Sequence, residues 1–91
     1  MPAPVEITVD GTPNPNAVKF TLNRTVATKG ETYRGDPSSV AAPWAKALLS
    51  IAGVVGVFGI NNFISVNKTP DADWDVIVPK AEAALKTVFQ V

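Results

Sequence analysis

The chain has 91 residues, 46% of them hydrophobic and 18% charged, with Lys plus Arg and Asp plus Glu balanced at 8 each. That length allows one domain, 1–91, with a single two-layer core. The charge balance excludes the electrostatic footprint of a protein built to bind nucleic acid or an anionic membrane. Neither cysteine nor histidine occurs, which excludes disulfides, thiolate or imidazole metal sites, and nucleophile–base pairs made from those residues. Met1 to Glu6 has neither a basic n-region nor an apolar h-region. The longest uncharged apolar-rich run, Ile51 to Ile60, reaches only half the ~20 residues needed to cross a bilayer. The expected location is cytoplasmic.

Residues 5–9 alternate, with Val5, Ile7 and Val9 on one side and Glu6 and Thr8 on the other, which predicts a half-buried strand. Thr12-Pro13-Asn14-Pro15-Asn16 follows. Each proline fixes its own φ and biases the residue before it towards extended geometry. The asparagines offer short side chains that bond the local backbone. A stiff loop is expected, leading into a second alternating strand with Val18, Phe20 and Leu22 inward and Ala17, Lys19 and Thr21 outward. Residues 23–36 are polar, with turns expected at Lys29-Gly30 and Gly35 and a short strand at Glu31 to Arg34.

Asp36-Pro37 predicts a helix start, with an acidic cap before a proline at the first helical position. Pro43 interrupts, so a turn, a kink and a main helix through Ile51 are expected. Trp44, Ala47, Leu48 and Ile51 form its apolar stripe, and Gly53 supplies a left-handed stop. Val54 to Asn67 reads as a hairpin turning at Asn61-Asn62, because asparagine accepts positive φ. That turn pairs Ile60 with Phe63. It places Val55, Val57, Ile64 and Val66 on one face and Phe58, Ile60, Phe63 and Ser65 on the other. A last helix is expected from Asp71 or Asp73, with Trp74, Ile77, Val78, Ala81, Leu85 and Val88 inward and a kink at Pro79. The resulting class is α+β: a two-layer sandwich, a mostly antiparallel sheet with two helices on one face. Trp44 and Trp74, one on each helix, are both expected to pack on the Val55/Val57/Ile64/Val66 face.

The chemical motifs are weak. Asp71, Asp73, Asp75 and Glu82 fall at calcium-loop spacing, but Val76 stands where that loop needs glycine, so helix capping is the better reading. Gly53, Gly56 and Gly59 lack the helix and the Lys-Ser/Thr of a phosphate cradle. The serines have no histidine to activate them, and the carboxylates form no recognisable pair. No enzyme activity, cofactor or metal is expected.

The ordered set Thr12 to Asn16, Val18-Lys19-Phe20, Leu48 to Val54, Val57-Phe58-Gly59, Phe63 to Lys68, Asp73-Trp74 and Pro79 resembles the N-terminal domain of Nfu-type iron–sulfur scaffold proteins, over roughly residues 4–89. Asn61-Asn62 departs from the family, which usually carries an acidic residue there. The scaffold's Cys-x-x-Cys domain has no counterpart in these residues. The resemblance implies a non-catalytic interaction module in iron–sulfur cluster assembly that does not itself ligate the cluster. Its implied partner is an iron–sulfur scaffold, a cluster donor or a client apoprotein, with no nucleic acid and no membrane. The alternative is a structural or regulatory protein-binding domain with no iron–sulfur role, because fold alone does not fix function. The candidate protein-binding residues are Pro13, Asn14, Pro15 and Asn16 in the stiff loop, Lys19 on the strand behind it, and Phe58, Ile60 and Phe63 on the second hairpin face. Those three aromatic and aliphatic side chains either form a partner surface or lie under residues 23–35 with Tyr33.

Overall fold

Two glycines and a run of alternating strands decide how this chain layers. The computed structural model describes residues 5–89; Met1 to Pro4, on which part of the leader reading fell, lie outside the described residues. Five strands, β1 (Ile7–Gly11), β2 (Ala17–Leu22), β3 (Ala27–Arg34), β4 (Val54–Asn61) and β5 (Phe63–Lys68), form one antiparallel sheet in the order β1-β2-β5-β4-β3. Helices α1 (Pro43–Leu49) and α2 (Trp74–Phe89) supply the second layer. The expected α+β class is the observed one.

Period-2 patterning holds where it is strongest. Val18, Phe20 and Leu22 of β2 and Ile64 and Val66 of β5 are buried under the helices, and Val57 of β4 joins them. The helices bring Trp44, Ala45, Leu48 and Leu49 from α1 and Ile77, Ala81 and Leu85 from α2. Trp74, Val78 and Val88 sit half-buried at the margin of that stripe. The hairpin turns as expected, with Ile60 opposite Phe63 and Asn61 at φ 53, a geometry asparagine tolerates better than most residues.

The face expected for Val55 is wrong. Val54 pairs with Lys68 but Gly56 pairs with Asn67, so β4 carries one extra residue. This β-bulge reverses the parity upstream of Gly56. Val54 takes the buried place and Val55 is left 41% exposed. Other corrections are smaller. The first strand runs from Ile7 to Gly11 rather than over 5–9. Residues 27–34 form a full edge strand in which Lys29-Gly30 marks an irregularity between Ala27 and Glu31 rather than a turn. Gly35, at φ 85, is the turn. Asp36 caps a 3-10 turn, Pro37–Ser39, by accepting the Ser38 N–H at 2.9 Å. That backbone hydrogen bond holds the Asp36 carboxyl below its ordinary pKa. The kink expected before Pro43 appears as a complete break at residues 40–42, and α1 ends at Leu49, short of Ile51. Helix α2 is continuous through Pro79.

Glycine is required at two places. Gly53, at φ 95, lies in the Ile51–Val54 turn that follows α1 rather than at the helix end itself, which Ser50 caps, and a Cβ there would lie 2.8 Å from the Ala72 Cβ. Gly59 has an extended backbone but faces the Trp44 indole, where a Cβ would meet ring carbons at 2.6 and 2.8 Å. Trp44 is only 4% exposed, and its other neighbour is the Tyr33 ring, edge-on at 5.8 Å between centroids. The Tyr33 hydroxyl donates to Glu31 Oε1 at 2.6 Å.

Two measurements test this packing. Gly59→Ala drives a methyl into a ring that cannot move, and is expected to cost about 1–3 kcal/mol in urea denaturation. Combining it with Trp44→Leu is expected to cost less than the two changes summed, because the smaller side chain makes room. Tyr33 is the one tyrosine in the sequence, and its pKa is raised above 10.0 chiefly by the hydrogen bond to Glu31, with burial and the carboxylate's charge adding to it. The neutral phenol's contribution to stability is therefore complete below pH 10 and is lost as pH climbs through the raised value. Ultraviolet titration is expected to show a midpoint above 10.0 that falls back in Glu31→Ala.

Candidate functional site

The Thr12–Asn16 loop is held by its own polar groups. The Thr12 hydroxyl accepts the Asn14 N–H at 3.2 Å and lies 2.9 Å from the carbonyl oxygens of both Asn14 and Ala17, to which its hydrogen can be donated. Asn14 Oδ1 accepts the Asn16 N–H at 2.9 Å, and the Asn14 carbonyl accepts the Ala17 N–H at 3.1 Å. The prolines fix φ where these bonds need it, so the loop is stiff for the reason its sequence suggests.

Two further residues, which the sequence reading did not single out for this role, tie the loop to the body. The Trp74 indole N–H donates to the Pro15 carbonyl at 3.0 Å, so Trp74, half-buried against the core, also clamps the loop, a role not expected of it. Lys68, the one buried charged side chain among the described residues at 8% exposure, donates from its ammonium to Asn16 Oδ1 at 3.2 Å and to the Thr69 carbonyl at 3.1 Å. Its ammonium also lies 5.6 Å from the Trp74 ring centroid, within cation–π range. The Lys68 N–H closes the set, donating to the Asn16 carbonyl at 2.9 Å. One signal for Lys68 was present: it continues the parity of Ile64 and Val66, so a charge falls in phase with buried positions.

The remaining candidates lie on the sheet face away from the helices. Phe58 and Phe63 sit on neighbouring strands with ring centroids 6.3 Å apart. The Lys19 ammonium lies 4.5 Å from the Phe63 centroid. Phe58, Ile60, Phe63 and Lys19 are all half-buried. Register places Lys19 beside Ser65, Ser65 beside Phe58 and Phe58 beside Thr32, one row across four strands. Tyr33 does not cover this cluster, because it lies on the helix side against Trp44. Gly30 approaches instead: a Cβ there would be 3.2 Å from the Phe58 ring. The structure thus groups Lys19, Phe58, Ile60 and Phe63. The Pro13 to Asn16 loop stands apart, tied to the start of α2, with Pro13, Asn14 and Pro15 exposed.

Asp73 Oδ1 accepts the Asp75 N–H at 2.9 Å and caps α2, the role its position suggested. Among the described residues no three acidic side chains converge as a metal site would require, and no helix is long and apolar enough to cross a membrane.

Residues 7–91 match the family described as scaffold protein Nfu/NifU N terminal. The chain belongs to this family. The chain is 38% identical over 86 residues to a mitochondrial iron–sulfur cluster scaffold homologue of Drosophila persimilis, an alignment covering 91% of this chain and 30% of that protein. It is 36% identical over 84 residues to conserved virulence factor C of Staphylococcus aureus (strain bovine RF122), covering 91% of this chain and 22% of that protein. The chain therefore spans less than a third of the length of these curated relatives. A crystal structure of a Staphylococcus aureus protein superposes with a TM-score of 0.73 at 35% identity, over 88% of this chain and 98% of that one. A solution structure of a NifU-like protein from Saccharomyces cerevisiae shares the fold, with a TM-score of 0.77 at 22% identity over 91% and 76% of the two chains.

The loop clamp makes a direct test. Trp74→Phe keeps an aromatic ring and deletes the donor, with an expected cost of about 0.5–1.5 kcal/mol, and Lys68→Met leaves two half-buried acceptors unpaired, with an expected cost of about 1–3 kcal/mol. Both are expected to speed hydrogen exchange at the Asn16 and Ala17 amides. Unchanged exchange in both would mean that the loop holds itself.

Proposed function

We propose that this Nfu N-terminal domain is a non-catalytic docking module of iron–sulfur cluster assembly, receiving an iron–sulfur scaffold, a cluster donor or a client apoprotein without holding the cluster. The observation that carries it is the Phe58–Phe63 pair with Lys19 over one ring, on a sheet face that the helix layer leaves uncovered. Ring pairs of this kind give a partner apolar area at little entropic cost, and a neighbouring cation adds orientation. The exposed rim of Pro13, Asn14 and Pro15, with Asn16 behind it, stands at the start of the same strand as Lys19. Three residues of extended chain, about 10 Å, separate Asn16 from Lys19, so one partner could touch both.

The cluster is cargo in this reading. Clusters are held by thiolates, with histidine as the occasional replacement, and the sequence contains neither. Its remaining donors, carboxylates, hydroxyls and amides, do not fit that role. Family membership, and a relative named as an iron–sulfur cluster scaffold homologue, support this reading of the pathway. The relative named as a virulence factor keeps a second reading in view, a docking domain serving a protein outside cluster assembly.

The test uses Phe58→Ser and Phe63→Ser. Both are expected to weaken pull-down of a Cys-x-x-Cys scaffold domain while keeping most of the melting temperature. Anaerobic incubation of the wild-type protein with iron and sulfide is expected to leave it colourless. Large losses of melting temperature would make the two rings part of the core, and a stoichiometric brown species surviving desalting would overturn the non-ligating role.

A further inference from the structure

The sheet has two edges, β1 and β3, and they are treated differently. An edge strand presents a row of unpaired N–H and C=O groups that another chain can use, and proteins usually blunt it with bulges, charges or proline. Strand β3 is blunted: its pairing is broken between Ala27 and Glu31, Lys29 and Gly30 lie in the break, and Arg34 and Gly35 end it. Strand β1 has neither a break nor a proline, and its one charged residue is Asp10. It pairs with β2 residue for residue, from Ile7 with Leu22 to Gly11 with Val18, and contains neither lysine nor proline.

The direction of its free groups follows from one hydrogen bond. The Asn23 N–H donates to the Glu6 carbonyl at 3.2 Å. Antiparallel ladders alternate between bonded and non-bonded pairs. Glu6, Thr8 and Asp10 therefore turn their backbone groups to β2, and Ile7, Val9 and Gly11 turn theirs outward. The other side of β2 agrees, because Asn16 bonds Lys68 there, which leaves Ala17, Lys19 and Thr21 facing β1.

The side chains along this edge are of two kinds. Towards the helix layer lie Ile7, half-buried, and Val9, which at 36% is one of the few large apolar side chains left exposed. Towards the open face lie Glu6, Thr8 and Asp10, all exposed. Register sets Lys19 opposite Asp10, yet the Lys19 ammonium rests over the Phe63 ring.

We propose that β1 is a docking edge that takes an extended segment of a partner protein as an added strand, a segment alternating basic and apolar residues. Its backbone pairs with the N–H and C=O groups of Ile7, Val9 and Gly11. Its apolar residues cover Val9 beside Ile7, and its basic residues lie along Glu6 and Asp10. A second copy of this chain is a poor occupant: antiparallel pairing centred on Val9 would bring Glu6 and Asp10 of both copies onto one strip. The site is separate from the Phe58–Phe63 face and does not rest on the iron–sulfur reading.

The probe is a short, acetylated and amidated peptide alternating lysine and valine, read by hydrogen exchange on the full chain. The amides of Ile7, Val9 and Gly11 are expected to exchange fast alone and slowly with peptide, while those of Thr8 and Asp10 stay protected in both. Val9→Pro removes an outward N–H at a position where an edge strand tolerates proline, together with the valine side chain, and is expected to abolish binding with the melt retained. Asp10→Lys is expected to weaken binding roughly tenfold, as loss of one charge-assisted contact does, and a glutamate–valine peptide is expected to bind more weakly than the lysine peptide. Wild-type affinity in Val9→Pro, no slowing at the three amides, or perturbation confined to Lys19, Phe58 and Phe63 would overturn the proposal. Slowing that grows with protein concentration in the absence of peptide would also overturn it, by assigning the edge to a second copy.

Discussion

The close approach of the Trp44 indole to the backbone of Gly59 is the constraint on which the two layers depend. Any side chain at Gly59 would occupy the space of the ring, so a strand residue without a Cβ lets α1 sit low on the sheet. From that seat Leu48 and Leu49 reach the core and Ala45 is fully enclosed. Tyr33 closes the slot from the edge strand. A small domain buries limited apolar area, and one large ring lowered into the sheet gains contact that a longer helix would otherwise have to supply.

The opposite end of the sheet is organised by polarity. The Thr12–Asn16 loop satisfies its own backbone, and Trp74 and Lys68 then fasten it between β5 and α2. A buried ammonium is costly unless hydrogen-bonded; here two acceptors and an aromatic ring surround it. The fold therefore has a packed end, governed by Trp44, and a hydrogen-bonded end, governed by Lys68. The Lys19–Phe63–Phe58 face belongs to neither and is free of both demands.

What was legible in the sequence follows from how local each signal is. The hairpin about Asn61-Asn62, the alternation of β2, the stripe Ile77-Ala81-Leu85 and the left-handed conformation of Gly53 are set by residues within a few positions of one another. They were read correctly, and so was the family from its ordered motifs. Val55 was misread because a bulge cannot be inferred from alternation: Val54 and Val55 are chemically identical, and only pairing with Lys68 chooses between them. Trp74 packs half-buried against the core as its helical phase suggested, but its hydrogen-bond partner, the Pro15 carbonyl, lies fifty-nine residues away and was not legible. The Phe58, Ile60 and Phe63 face was correctly separated from the core face. How far β3 would cover it depended on a long-range pairing that a polar, glycine-bearing segment does not announce.

The strand order carries a consequence for how the chain reaches this state. β2 lies inside the assembled sheet, between β1 and the central β5, yet β5 follows it by about forty residues of chain, a loop whose closure costs entropy before any contact repays it. Until β5 and the helices exist, Phe20 and Leu22 have neither a neighbouring strand nor a layer to bury against, and a two-stranded hairpin alone is marginal in water. During synthesis the N-terminal hairpin must therefore wait, exposed, for the C-terminal half. The β4–β5 hairpin, whose strands are joined by the tight turn at Asn61-Asn62, can form first and serve as the template on which the earlier strands dock.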